Sequence, residues 1–259
     1  MISRREAIMA LGAATLGGVA ATVAKPAWAI PDGQGGWPWK AQKLDPKESA
    51  EYAYRGFYNQ GQGCCYGVFK GLVGLMGKRY GAPYNTFPLQ MMAFGASGVS
   101  NWGTLCGSLN GAAAAFGLFW NRNEQEPLVD ALFSWYEEVK LPLYKPAKPV
   151  LNFKVQQTIP KSTLCHVSVS KWSQESGHEM HSKERSERCA RVTADVAQKA
   201  AELINAKLQG KLAPAKVSQA RQSCMQCHDK GKEADIAKGK MNCFTCHDGH
   251  LEDMRKEHN

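Results

Sequence analysis

The stretch Lys183-Glu-Arg-Ser-Glu-Arg-Cys-Ala-Arg-Val-Thr-Ala-Asp-Val-Ala-Gln-Lys-Ala-Ala-Glu-Leu-Ile-Asn-Ala-Lys-Leu208 reads as one long helix. Its apolar residues Val192, Val196, Ala200, Leu203 and Ile204 recur at three- and four-residue steps, and Ser182 stands at the N-cap. The same spacing recurs upstream. Lys47 to Tyr80 reads as helix with a break near Gly61 to Gly63, and Val68, Phe69, Leu72, Val73, Leu75 and Met76 form a broad apolar face. Gly103 to Asn121 gives a second helix dense in small residues, and Glu126 to Val139 a third, ended by Pro142. Leu143 to Pro160 carries Pro146, Pro149 and Pro160 among lysines and reads as an extended excursion over the surface. No segment alternates as a strand does. The expected fold class is all-α: a helical core followed by an irregular C-terminal segment.

Composition divides the chain further. Ser3-Arg4-Arg5-Glu6-Ala7-Ile8-Met9 precedes an apolar run from Ala10 to Ala24, and Ala27-Trp28-Ala29 offers small residues for cleavage. Residues 1–29 thus read as an export signal of the twin-arginine type, although Ala7 and Met9 depart from its usual pattern. The run is short and rich in small residues, which disfavours a permanent membrane helix, so a periplasmic product free of a stable membrane span is expected. Residues 30–46, with Trp37, Pro38 and Trp39, form an irregular arm that packs only if the indoles find a groove. Residues 47–210 make the helical domain. From 211 to 259 the chain is polar and Lys-rich, too poor in large aliphatic side chains to build a core unaided.

That tail carries the most specific signal. Cys224-Met-Gln-Cys227-His228 and Cys243-Phe-Thr-Cys246-His247 are each the attachment signature of a c-type haem. Two thiols must reach the vinyl groups on one porphyrin edge while the next residue's imidazole turns beneath the iron. Cys-x2-Cys-x15-Cys-x2-Cys is also a zinc-ribbon spacing, but only seven His occur in 259 residues and one follows each pair. The expectation is therefore two c-type haems: Cys224, Cys227, Cys243 and Cys246 bind them covalently, and His228 and His247 are the proximal iron ligands. The cofactors would supply the tail's core.

Five cysteines remain: Cys64, Cys65, Cys106, Cys165 and Cys189. Export permits disulfides. However, Gly61-Gln-Gly-Cys64 and Gly103-Thr-Leu-Cys106-Gly107 each open a helix, where N-terminal amides favour a thiolate and glycines let backbone N–H groups approach a sulfur. Cys165 and Cys189 bracket a loop, with Cys189 in the first turns of the long helix. Four cysteines from four places in the chain, Cys64, Cys106, Cys165 and Cys189, are candidates to converge on one iron–sulfur cluster.

Gly63-Cys64-Cys65-Tyr66-Gly67-Val68, followed by Phe94-Gly95-Ala96-Ser97-Gly98 and Gly103-Thr104-Leu105-Cys106-Gly107-Ser108-Leu109-Asn110-Gly111-Ala112, resembles the redox-active family named for its spaced Cys-Gly-Cys-Ala-x-x-Gly, Cys and Cys motifs. Cys165 and Cys189 match its two later cysteines. With both haem motifs appended in order, the chain resembles the split-Soret cytochromes c, periplasmic dihaem proteins of anaerobic bacteria, over about residues 50 to 255. The resemblance implies a homodimer with closely stacked haems, bis-histidine ligation in which a ligand crosses between subunits, and a separate iron–sulfur centre, with 2Fe-2S among its candidate forms. Cys65 stands where the broader family usually has Ala, so either Cys64 or Cys65 is open as the ligand; Cys64 matches the family cysteine.

The distal haem positions fall to His178, His181 or His250 as first candidates, with His166, His258, Met180 and Met225 behind them. His178 and His181 lie three residues apart in His-Glu-Met-His and can share a face. The formal charge of +9 falls to +7 once Arg4, Arg5, Glu6 and Lys25 leave with the signal. Scattered basic residues with no recognition motif argue against nucleic acid and for docking an acidic periplasmic redox protein. The expected function is electron transfer in anaerobic respiration. The alternative is a multihaem reductase of a small oxyanion such as nitrite, which needs an open coordination site and acid–base groups; Glu137, Glu138 and Glu175 read instead as solvated charges. An iron-loaded scaffold or redox sensor is a third class.

Overall fold

The structure, a computed structural model, describes residues 36–216, 219–232 and 239–247. The fold is all-α. The helices in chain order are α1 (Pro46–Tyr58), α2 (Gly63–Phe69), continued by a π-turn (Lys70–Gly74) into α3 (Leu75–Tyr80), then α4 (Gly107–Phe119), α5 (Arg122–Glu138), α6 (Cys165–Ser176), α7 (Lys183–Leu208) and α8 (Gln219–His228). Among the described residues there is no strand, only the isolated bridges Leu105–Leu164 and Leu141–Thr158.

Helix α7 forms where its periodicity places it. Ser182 Oγ accepts the Arg185 amide at 3.1 Å, and Val192, Val196, Ala200, Leu203 and Ile204 are all buried. It packs chiefly on α1 and also touches α2, α4 and α5. The crossing is set by Gly67, where an added Cβ would lie 2.7 Å from Thr193 Cγ2 of α7 and 2.9 Å from the Ala53 carbonyl of α1. Only glycine lets the three helices approach so closely. A buried carboxylate then ties them together: Glu187 accepts from Tyr54 at 2.9 Å, Tyr58 at 2.6 Å and Arg191 Nε at 2.8 Å.

The π-turn is where the apolar face of residues 68–76 passes without interruption, all of Val68, Phe69, Leu72, Val73, Leu75 and Met76 being buried. The arm does find a groove: Trp37 Nε1 donates to the Gly117 carbonyl at 2.8 Å, and the Trp39 ring stands edge-on to Tyr84 and Phe87. Helix α5 begins four residues earlier than its apolar pattern indicates, because Asn121 and Glu124 form a capping box. Helix α4 begins at Gly107, not Gly103, since residues 103–106 are drawn into backbone pairing with 163–166. The loop expected around Cys165 is in fact α6; its buried Val169 and Trp172 hold it to the core. No helix of the described residues is long and apolar enough to cross a membrane.

The excursion over 143–160 is fastened by the Asp195 carboxylate, which accepts the Leu143 and Tyr144 amides at 2.8 and 2.7 Å. Burial pushes this carboxyl up to about 7, against those two amide bonds and the Arg188 charge. Between about pH 4 and 7 the folded chain thus keeps a proton that the unfolded chain releases, so rising pH costs stability in that window. Urea denaturation of wild type and Asp195→Asn from pH 4 to 8 should show the wild type losing about 4 kcal/mol relative to the variant.

Candidate metal centres

Two backbone segments build the first site. Cys106 N–H donates to the Thr163 carbonyl at 2.9 Å, Cys165 N–H to Thr104 at 2.7 Å, and His166 N–H to Gly103 at 3.0 Å. This pairing sets Cys106, the N-cap of α4, beside Cys165, the first residue of α6. Cys64 joins them from the first turn of α2, and Cys189 from the second turn of α7. The Ser97 amide donates to the Cys64 sulfur from a tight loop in which Ser97, Val99, Ser100 and Asn101 all hold positive φ, between 47° and 68°. Such backbone is costly for side-chain-bearing residues, above all β-branched Val99.

The four thiols sense one another. Burial first, then Cys106, Cys189 and Cys165, push the Cys64 thiol well up; burial, Cys106 and Cys189 do the same to Cys165. Cys65 is different: it is raised to about 12 by burial and by Cys106 alone, with the Gly95 amide opposing. Cys64 thus feels all three of the other sulfurs, and Cys65 only one. The helix N-terminus at Cys64 was expected to favour a thiolate, and desolvation with repulsion from the other sulfurs outweighs it. A cation would reverse that balance. Among the described residues no three His, Cys, Asp or Glu side chains stand close enough to close on one bare ion.

The residues present fit a thiolate-held cluster on two counts. At Gly107 an added Cβ would collide with the Cys64 sulfur and the Gly95 carbonyl, so the glycine leaves room at the sulfur. Arg188 is 2% exposed and lies against the group, its Nη1 donating toward Cys189 Sγ at 3.9 Å and its Nε unpartnered. Beside it lie Tyr136 and Ser168 from other helices: the Tyr136 hydroxyl donates to Ser168 Oγ at 3.0 Å, and Arg188 Nη2 donates to the same oxygen at 2.8 Å. Reading the sequence missed all three. Arg188 sits in a run of alternating charges that looks solvated, and nothing in the residue order betrays its burial.

The second site lies in the tail. Helix α8 carries Cys224, Cys227 and His228, and a 3-10 turn (Cys243–Thr245) leads through Cys246 to His247. The Cys224 and Cys243 thiols hydrogen-bond to each other, setting the two motifs side by side. Cys227 and Cys246 are exposed, and Cys224 and Cys243 half-buried. Three contacts hold the turn to the core: Thr245 Oγ1 donates to the Lys161 carbonyl at 2.9 Å, the Asn242 amide to Glu137 Oε1 at 3.3 Å, and Lys240 Nζ to Asp130 at 2.7 Å and to Glu126. Glu137 is thus not a solvated charge: it is 6% exposed, and burial raises its carboxyl. A cavity of about 520 Å³ opens between α5 and the tail, lined by Arg122, Phe133, Glu137, Arg221 and Lys240.

Of the distal candidates, His178 is half-buried with its ring stacked on Trp172 at 5.7 Å and edge-on to Phe153 at 5.6 Å. His181 and Met180 are exposed, as is His166, whose Nδ1 lies 3.5 Å from Ser170 Oγ. His250 and His258 lie outside the described residues.

Comparison with known proteins agrees with this layout. Residues 63–203, which include all four grouped cysteines, match the model of a "putative redox-active protein (C_GCAxxG_C_C)". A curated relative, split-Soret cytochrome c of Desulfovibrio desulfuricans (strain ATCC 27774 / DSM 6949 / MB), is 47% identical over 253 residues, covering 91% of each chain. The chain belongs to the split-Soret cytochrome c family. A solved structure of the split-Soret cytochrome c from Desulfovibrio desulfuricans ATCC 27774, described as containing a novel iron centre, superposes with a TM-score of 0.79 at 50% identity. It covers 83% of this chain and 92% of its own. Split-Soret family membership supports a cytochrome's role, electron transfer.

The glycine beside Cys64 gives a direct test of the first site. Gly107→Ala should lower unfolding free energy by about 1–3 kcal/mol through overpacking and reduce the iron retained after purification, measured by denaturation and metal analysis. The equally small change Ala115→Gly, on the same helix but away from the thiols, should leave iron content unchanged.

Proposed function

We propose that this split-Soret cytochrome is a periplasmic electron-transfer protein that holds two c-type haems and one iron–sulfur cluster and serves anaerobic respiration. The observation that carries this reading is the gathering of Cys64, Cys106, Cys165 and Cys189 into one interacting group, two of them buried and two half-buried, while both Cys-x-x-Cys-His motifs lie together in the tail. When bound, these groups supply one-electron redox chemistry. The chain's own contribution is to keep the two sites apart in character. The cluster cysteines are buried or half-buried beneath a tight loop, whereas two of the four haem thiols are exposed.

Several features of the residues support the finer assignments. Cys224 and Cys227 would hold one haem with His228 beneath its iron, and Cys243 and Cys246 the other with His247. Cys64, Cys106, Cys165 and Cys189 would hold the cluster, each as a thiolate once iron replaces its proton. A second histidine on each iron, drawn from His178, His181, His250 or a partner subunit, would leave no position for substrate and so favour a carrier over an oxyanion reductase. The molecule would act as a homodimer and exchange electrons with other periplasmic redox proteins. The export signal proposed for residues 1–29 suits this order of events: a twin-arginine route carries folded protein, so the cluster can be built before transit and the exposed tail thiols loaded after it.

Purified protein from a haem-competent host should contain more than two irons per chain, and Cys64→Ser should remove the excess while Cys65→Ser keeps it. Two haem adducts by mass spectrometry and a reduced spectrum unchanged by carbon monoxide are the accompanying results. A spectrum that shifts with carbon monoxide would instead point to an open iron and an enzyme. Replacing Arg4 and Arg5 together by Lys should block export and haem loading in the same cells; full maturation of that variant would refute the proposed route.

A further inference from the structure

Arg188 is buried among groups that give it no carboxylate. The adjacent Glu187 is engaged by Tyr54, Tyr58 and Arg191. Asp195, the acid whose field Arg188 does feel, is held by the Leu143 and Tyr144 amides and has its own charge suppressed by burial. The guanidinium spends one donor on Ser168 Oγ at 2.8 Å, points another toward Cys189 Sγ at 3.9 Å, and leaves Nε without a partner. Ser168 Oγ is also taken by Tyr136, whose hydroxyl lies within hydrogen-bonding reach of the Cys106 sulfur. Arg188 therefore reaches two of the four grouped sulfurs, Cys189 directly and Cys106 through Ser168 and Tyr136.

An arginine remains charged at any pH a protein survives. Taking that charge out of water costs several kcal/mol unless negative charge compensates it. Four protonated thiols offer none. Four thiolates around iron and sulfide do, because such an assembly is net anionic, and uptake of one electron makes it more so by one charge.

Resting on the reading of this group as an iron–sulfur site, we infer that Arg188 is the fixed counter-charge of that site and sets its reduction potential above what the thiolates alone would give. The electron comes from a reduced haem or a protein donor, and one iron passes from the ferric to the ferrous state. No bond to Arg188 forms or breaks, and its proton stays in place. A neighbouring cation stabilises the more negative reduced state more than the oxidised one, so the effect on potential has a definite sign. Charge, not shape, carries the effect.

The test uses the full-length haem-loaded protein and its Arg188→Lys, Arg188→Gln and Arg188→Met variants. The cluster is followed by paramagnetic resonance during redox titration and the haems by their Soret absorption. Poised at the wild-type midpoint, the oxidised-to-reduced ratio of the cluster should rise at least tenfold in the Gln and Met variants, equivalent to about 59 mV downward for a one-electron couple. Arg188→Lys should stay within threefold, and the haem midpoints should hold in all variants. Loss of non-haem iron in the Gln and Met variants with retention in Arg188→Lys would support the same conclusion. An unchanged ratio in a Gln or Met variant that keeps its iron would overturn it, as would equal loss of iron in all three. Wild-type protein with no iron beyond its haems would instead overturn the iron–sulfur reading itself, and this inference with it.

Discussion

Reciprocal backbone pairing between residues 103–106 and 163–166 is the constraint on which the rest of the molecule turns. Three hydrogen bonds of 2.7 to 3.0 Å join two loops that are some sixty residues apart in sequence, and each loop feeds directly into a helix whose first sulfur faces the other. Had α4 begun at Gly103, as its small residues suggest, the Gly103 and Thr104 carbonyls would accept amides of the following helical turn and would not be free for His166 and Cys165. The short bridge Leu105–Leu164 does the work of a sheet in an otherwise helical protein, fixing the approach of two helix N-termini to one point. Helix dipoles pointing inward from α4 and α6 then favour negative charge there, and Arg188 adds a full positive charge from α7.

That arrangement explains why burial and charge coexist in a site that looks unfavourable without metal. Burial and the neighbouring sulfurs raise Cys64 and Cys165, and a buried guanidinium with no carboxylate bonded to it is expensive. Each cost cancels the other once the thiols become thiolates. Neighbouring positions on α7 show the same economy: Glu187 turns to the α1 tyrosines and Arg191, Arg188 to the sulfurs, so two adjacent charges are satisfied on different faces of one helix.

Much of this was legible in the residue order, and the failures have physical causes. Helix α7 was readable because its apolar spacing and its Ser182 cap agree, and the haem motifs because covalent chemistry fixes Cys-x-x-Cys-His rigidly. Helix α6 was not, since Cys165-His-Val-Ser-Val-Ser-Lys-Trp-Ser-Gln-Glu-Ser is rich in serine and β-branched residues of modest helix propensity, and it is Val169 and Trp172 packing into the core that hold it. Glu137 and Arg188 were misread or overlooked for one reason: charged residues on helices are nearly always solvated. Their burial is a tertiary fact, set by the tail in one case and by the sulfurs in the other. The gathering of Cys64 with the three distant cysteines was suggested by glycine-flanked helix starts, and the family motif already favoured Cys64 over Cys65.

The segment between α5 and α6 links the two sites more tightly than the length of the tail implies. Thr245, inside the second haem motif, is bonded to the Lys161 carbonyl, and Lys161 N–H donates to the Glu137 carbonyl at 3.0 Å. Two residues later the Thr163 carbonyl receives the Cys106 amide. A run of three residues, 161 to 163, thus fastens the tail at one end and Cys106 at the other, while the Glu137 carboxylate takes the Asn242 amide beside the same turn. A tail of low apolar content has few means of holding a fixed position by burial alone. Polar bonds to a segment that the cysteine site already immobilises supply those means, and they do so while leaving the Cys227 and Cys246 thiols exposed.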